Sequence, residues 1–129
     1  MPTKHVSTLQ APKPIGPYSQ GVISGGLLFC SGQIALDPET GAVVEGGVDA
    51  QTERVLENLV AVLREAKMGL DNVVKTTVYL ADMGDFAPMN EAYAREFEGE
   101  PPARTTIAVA GLPKGARVEI EAVAVGRDL

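Results

Sequence analysis

Two β-type runs flank Gly25-Gly26 in the stretch Gly21-Val22-Ile23-Ser24-Gly25-Gly26-Leu27-Leu28-Phe29-Cys30-Ser31-Gly32-Gln33-Ile34, and no other segment restricts the fold as much. A glycine pair supplies the positive φ angles that a two-residue hairpin needs. The second run ends in Ser31-Gly32-Gln33, and a glycine inside a strand marks a bulge or the close approach of another group. Asp37-Pro38-Glu39-Thr40-Gly41 then reads as a turn, with proline early and glycine late.

The segments around this hairpin alternate between strand and helix periods. Residues 1–15 are polar and proline-rich and read as an extended arm, with a short edge strand at His5–Thr8. Ile15–Gly21 reads as loop or irregular strand. Residues 49–68 carry Val55, Leu56, Leu59, Val62, Leu63 and Ala66 at three-and-four spacing, which predicts a helix capped by Asp49 and ended by Gly69. Val73–Ala81 alternates as a strand. Asp85 opens a second helix, with Pro88 tolerated in its first turn and Phe86, Met89, Tyr93 and Phe97 as its apolar stripe. Asn90 falls on that same stripe, where it must find partners or cost about 1–3 kcal/mol.

Pro101-Pro102 cannot lie inside a central strand, so the next strand starts at about Ala103. Arg104, Thr106, Ala108 and Ala110 share one of its faces. After a turn at Gly111–Gly115, Arg117–Val125 becomes apolar on both faces toward its end, as a central strand does. The order predicts an α+β fold, a mixed sheet with two helices packed on one face, in a single domain 1–129 with residues 1–14 as the arm. The other face is rich in Val, Thr and Ala, and a second subunit would cover it.

Composition removes several function classes. The net charge is −6 and no basic run of four exists, which argues against nucleic acid. No apolar stretch is long enough to span a membrane. One cysteine, Cys30, and one histidine, His5, cannot build a metal cluster, and Cys30 reads as inert packing. A cytoplasmic location is expected from these absences. A Ser-His-Asp triad would need His5, placed on the arm, and neither a P-loop nor a Gly-x-Gly-x-x-Gly turn is present.

What survives is a sparse polar set: Tyr18, Ser31, Asn90, Arg104 and Glu121. Guanidinium is a planar fork that matches a carboxylate with two parallel bonds, so Arg104 either reaches solvent or waits in a cleft for an anion. Glu121 sits among valines and needs a partner or a raised pKa. Tyr18 and Asn90 read equally well as packing residues. One arginine and one carboxylate suffice for an easy reaction such as imine hydrolysis.

Gly16-Pro17-Tyr18-Ser19-Gln20-Gly21, Ser31-Gly32-Gln33-Ile34, Val74-Lys75-Thr76-Thr77-Val78, Pro102-Ala103-Arg104-Thr105, and Leu112-Pro113 through Glu119-Ile120-Glu121-Ala122-Val123-Ala124-Val125 resemble the Rid (YjgF) family of reactive-intermediate deaminases, from about residue 14 to residue 125. The resemblance implies a chorismate-mutase-like subunit and a homotrimeric barrel with sites in the clefts between subunits. It implies hydrolysis of 2-imino acids and their enamine tautomers, such as 2-aminoacrylate, to 2-keto acids and ammonia, with no cofactor and no metal. By the same resemblance Arg104 grips the substrate carboxylate and Glu121 activates water. Tyr18, Ser31 and Asn90 line the pocket, and Gly32 admits the ligand to the backbone. Thr106 stands where many members carry cysteine, and its backbone amide would still serve the carboxylate. The competing expectations are a carboxylate-binding trimer without catalysis, acting as sensor or chaperone, and a purely structural trimer.

Overall fold

The computed structural model describes residues 3–126. Its strands are β1 (Lys4–Val6), β2 (Gly21–Ser24), β3 (Leu27–Gln33), β4 (Val73–Leu80), β5 (Ala103–Ala108) and β6 (Val118–Val125), and its α-helices are α1 (Val48–Glu65) and α2 (Phe86–Glu96). All six strands form one mixed sheet in the order β1-β2-β3-β6-β4-β5. Only β4 and β5 run parallel, joined through α2; every other neighbouring pair is antiparallel.

The glycine pair does what its position demands. Gly25 and Gly26 take φ of 58° and 82°, and β2 folds back on β3 with Ser24 opposite Leu27. The arm is better anchored than the sequence suggests. β1 starts at Lys4 rather than His5 and pairs with β2, so His5 lies opposite Val22, with its Nδ1 2.7 Å from Ser19 Oγ. The buried Gln20 side chain ties the rest of the arm down. It accepts from Thr8 N at 2.7 Å and donates to the carbonyls of Thr8 and Pro12 at 3.0 and 2.9 Å.

Helix α1 buries the predicted stripe of Val55, Leu56, Leu59, Val62 and Leu63. Together with Met89 and Tyr93 of α2 it packs on the sheet face that carries Leu28, Val78, Val118 and Ile120. The other face has no helix, so Phe29 remains 45% exposed and Ile107 41%. Among the described residues, no helix is long and apolar enough to cross a membrane.

Both helix ends differ from expectation. The N-cap of α1 is Gly47, and Asp49 lies inside the first turn, where its charge still favours the helix dipole. At the other end Lys67 N donates to Arg64 O and Met68 N to Leu63 O, the paired bonds of a Schellman cap, so the chain turns at Lys67 instead of Gly69. Lys67 therefore carries φ of 61°, a region costly for a residue with a Cβ. Lys67→Gly is expected to raise unfolding stability by about 0.5–1 kcal/mol, the left-handed cost less glycine's own entropy loss. Urea unfolding checks this, and an unchanged midpoint would refute it.

The larger correction concerns β5 and β6, which the sequence reading joins by a tight turn. They are not neighbours: β6 inserts between β3 and β4. A nine-residue connection is too long for a hairpin turn, and β6, apolar on both sides, gains most from a central place.

Candidate functional site

Strand register decides which side chains can meet. Thr77 lies opposite Glu121 and Tyr79 opposite Glu119, so both glutamates stand on the face without helices. On β4, Thr76 and Val78 point the other way and are buried under the helices. Thr76 pairs with Arg104 and Val78 with Thr106. Arg104 and Thr106 therefore lie on the helix side, two strands from Glu121 and on the opposite face. Two strand spacings are about 10 Å before any side chain is added. One subunit does not bring Arg104 and Glu121 together.

The glutamate side is built by an irregularity. Cys30 pairs with Ala122 and Gln33 with Ile120, which leaves Ser31 and Gly32 opposite Glu121 alone, a β-bulge. The bulge opens a recess of about 380 Å³ lined by Ile15, Tyr18, Ser31, Gly32, Ile34, Pro113, Glu119 and Glu121. Ser31 Oγ donates to Ser19 O at 2.5 Å, and Ser31 N to Gln20 O at 3.0 Å. Tyr18 is 45% exposed, and its hydroxyl accepts from Ile15 N at 3.2 Å. Glu121 has the partner the sequence demanded, but it is a hydroxyl: Tyr79 donates to Oε2 at 3.0 Å.

Glu119 is the residue that sequence reasoning missed. Its carboxylate lies against Gly32, where an added Cβ would overlap Oε2 and fall 2.9 Å from Cδ. Burial, and secondly the charge of Glu121, hold Glu119 above the ordinary carboxylate range. It stands two residues before Glu121 on the same strand face, a spacing that could have flagged it.

The raised pKa has a thermodynamic consequence. The folded chain binds this proton more tightly than the unfolded chain, so stability falls as pH rises from the ordinary glutamate value through the folded one. Glu119→Gln is expected to raise the melting temperature at pH 8 relative to wild type, with a smaller gain at pH 4. Equal gains at both pH values would refute the burial of charge at this position.

The arginine side is a separate recess of about 320 Å³, lined by Asn90, Tyr93, Ala94, Phe97, Gly99, Pro101, Pro102 and Arg104. Arg104 Cζ lies 4.8 Å from the Tyr93 ring centroid and 5.6 Å from that of Phe86. Arg104 thus faces this recess with its guanidinium stacked beneath α2. Among the described residues it forms no ion pair and no hydrogen bond. Tyr93 is fixed in turn by a 2.7 Å bond between its hydroxyl and Thr76 Oγ1. Asn90 is half-buried in the same recess. Asp85 does not cap α2 through its side chain; its carboxylate takes a two-pronged bond from Arg117 at 2.8 and 3.2 Å. A larger recess of about 670 Å³ near Leu70 and Glu96 shares Phe97 with this one but contains none of the predicted site residues.

Cys30 is buried, and burial pushes its thiol up to about 12, so it is inert at neutral pH. The predicted residues thus form two groups, Tyr18, Ser31, Gly32 and Glu121 on one side and Asn90 and Arg104 on the other. Thr106 extends the second group along β5.

The same architecture occurs in solved relatives. RidA from the Antarctic bacterium Psychrobacter sp. PAMC 21119 superposes with a TM-score of 0.92 at 42% identity, covering 95% of this chain and 98% of its own. E. coli TdcF with bound serine superposes with a TM-score of 0.90 at 41% identity, over 95% and 98%. The 2-iminobutanoate/2-iminopropanoate deaminase of Mus musculus is 51% identical over 122 residues, 95% of this chain and 90% of that protein. The family model described as endoribonuclease L-PSP matches residues 8–126. A match of that extent settles the family: this chain belongs to the endoribonuclease L-PSP, or YjgF/RidA, family.

Proposed function

We propose that the protein hydrolyses reactive 2-imino acids and their enamine tautomers, such as 2-aminoacrylate, to 2-keto acids and ammonia. The site is completed between subunits of a homotrimer. The observation that carries this reading is Glu119, a carboxyl held above its ordinary pKa and pressed against Gly32 in an open recess. Such a group is a stronger base than an ordinary carboxylate and can both accept and return a proton. The mouse relative, named as an imine deaminase, supports the same chemistry.

Arg104, with its donors free, receives the substrate carboxylate. A charge-assisted bond there contributes about 1.5–3 kcal/mol. Water adds to C2 of the iminium while Glu119 takes its proton. Glu119 then returns that proton to nitrogen, the new hydroxyl loses its own proton to solvent, and the carbinolamine collapses to ketone and ammonia. Burial, and secondly the charge of Glu121 that Tyr79 holds in place, keep Glu119 basic. Ser31, Tyr18 and Asn90 line the cleft, and Thr106 offers its backbone amide. No step calls for a cofactor.

Because Arg104 and the glutamates occupy opposite sheet faces, a second copy must supply one of the two groups. The exposed β5 edge and the face without helices are the surfaces such a copy would cover. The test is ammonia release from freshly generated 2-aminoacrylate against its uncatalysed decay. Arg104→Ala and Glu119→Gln should each be inactive alone. Mixed oligomers of the two should recover about a quarter of wild-type activity, since random assembly leaves that share of sites intact. No acceleration by wild type would refute the enzyme, and no recovery on mixing would refute the shared site. Serine bound to TdcF favours a second reading, a carboxylate binder without turnover, in which Glu119→Gln would leave ligand affinity intact.

A further inference from the structure

We propose that Phe86 and Tyr93 act as an aromatic clamp that sets the plane of the Arg104 guanidinium, making α2 the element that aims the carboxylate receptor. The idea rests on the proposed carboxylate role of Arg104, but its physical core does not. A long side chain on an edge strand ordinarily samples many rotamers, and ordering it at the moment of binding costs affinity. Here the guanidinium already lies over two rings, 4.8 Å from the Tyr93 centroid and 5.6 Å from that of Phe86. Stacking on ring faces leaves the in-plane N–H donors unused, and among the described residues none of them is taken.

The clamp has its own support. Tyr93 is buried and bonded to Thr76, which is the residue paired with Arg104 across the β4–β5 ladder. The ring is therefore registered to the same backbone position that carries the arginine. Tyr93 also stacks on Phe97, with centroids 4.5 Å apart, so it cannot drift toward the C-terminal end of α2. Phe86 stands two turns earlier on the same stripe, at the first residue of the helix, and is 37% exposed. Its exposure has no packing explanation of the kind that covers Met89, and contact with Arg104 supplies one.

Phe86 and Tyr93 are positioning residues. They act through Arg104, which binds the carboxylate alike in substrate and transition state, so their loss should appear in KM rather than kcat. The first arm of the test needs no substrate. In the full-length protein, the Arg104 Hε resonance, assigned by its disappearance in Arg104→Lys, should lie upfield of free arginine through ring currents. Phe86→Leu should move it toward the free position while the Arg64, Arg95 and Arg117 signals stay in place. The second arm is turnover of 2-aminoacrylate. Phe86→Leu should raise KM about fivefold with kcat within about twofold, and Phe86→Tyr should restore it.

An Arg104 signal at the free position, or one unmoved by Phe86→Leu, overturns the clamp whatever the activity. A ring-shifted signal in a protein without turnover would sink the deaminase and leave the clamp standing. If Phe86→Leu does not fold, Phe86→Met makes the same comparison.

Discussion

Gly32→Ala should fold normally and lose about a hundredfold in imine turnover, the scale of loss that follows a misplacement of about 1 Å. The argument is steric and local. A Cβ at this position would overlap Glu119 Oε2 and come within 2.9 Å of Cδ and 3.1 Å of Cγ. These atoms belong to the outer part of a flexible side chain, so the glutamate swings away at small cost to the fold. Gly32 is not among the residues with positive φ, so its backbone tolerates alanine. The result is a lesion confined to the carboxyl group. Steady-state kinetics beside a thermal melt checks it: lost kcat at an unchanged melting temperature is expected. Full activity in a folded variant would show that the place of Glu119 against the bulge is not used.

The second large effect is on stability. Asn58→Ala is expected to cost about 3 kcal/mol, because it strips two buried carbonyls of their donor at about 1–3 kcal/mol each. Asn58 is fully buried on α1. Its Nδ2 donates to Ile34 O at 3.2 Å and Leu36 O at 3.0 Å, and its Oδ1 accepts from Arg54 Nε at 3.1 Å and Nη2 at 2.8 Å. One side chain thus fastens the segment after β3 to the helix, and Ile34 of that segment lines the Glu119 recess. For a chain of this size the melting temperature should fall by about 10 °C. A fall of less than about 3 °C would mean that water replaces the amide.

Much of this architecture was legible because it is local. The hairpin at Gly25-Gly26, the stripe of α1 and the alternation of β4 follow from periods of two and 3.6, which neighbouring residues set among themselves. The side on which Arg104 stands was legible too, since alternation groups it with Thr106 and Ala108. What lies above that side was not, because Phe86 and Tyr93 reach it only through the crossover from β4 to β5. The insertion of β6 between β3 and β4 was hidden for the same reason: only long-range pairing decides it. Glu121 drew notice for its valine neighbours, while Glu119 gains its significance from a bulge on another strand. The anchoring of His5 to Ser19 depends on pairing with β2, which a proline-rich arm does not advertise. The helix stop at Lys67 was misplaced because glycine at 69 is the stronger local signal, yet the backbone turned two residues earlier.

The place of β6 bears on how the protein is made. A nascent chain that has emerged only as far as Arg117 holds two fragments of sheet, β1-β2-β3 and β4-β5, with no strand to bridge them. The faces of Leu28 and Val78 that β6 flanks stay incomplete until Val118–Val125 leaves the ribosome. The core therefore closes only after the other five strands and both helices have been delivered. The chain depends on β6 for the strand pairing at the centre of the sheet. A ribosome stalled shortly before that stretch would leave a substrate for chaperones and proteases in place of a partly folded subunit.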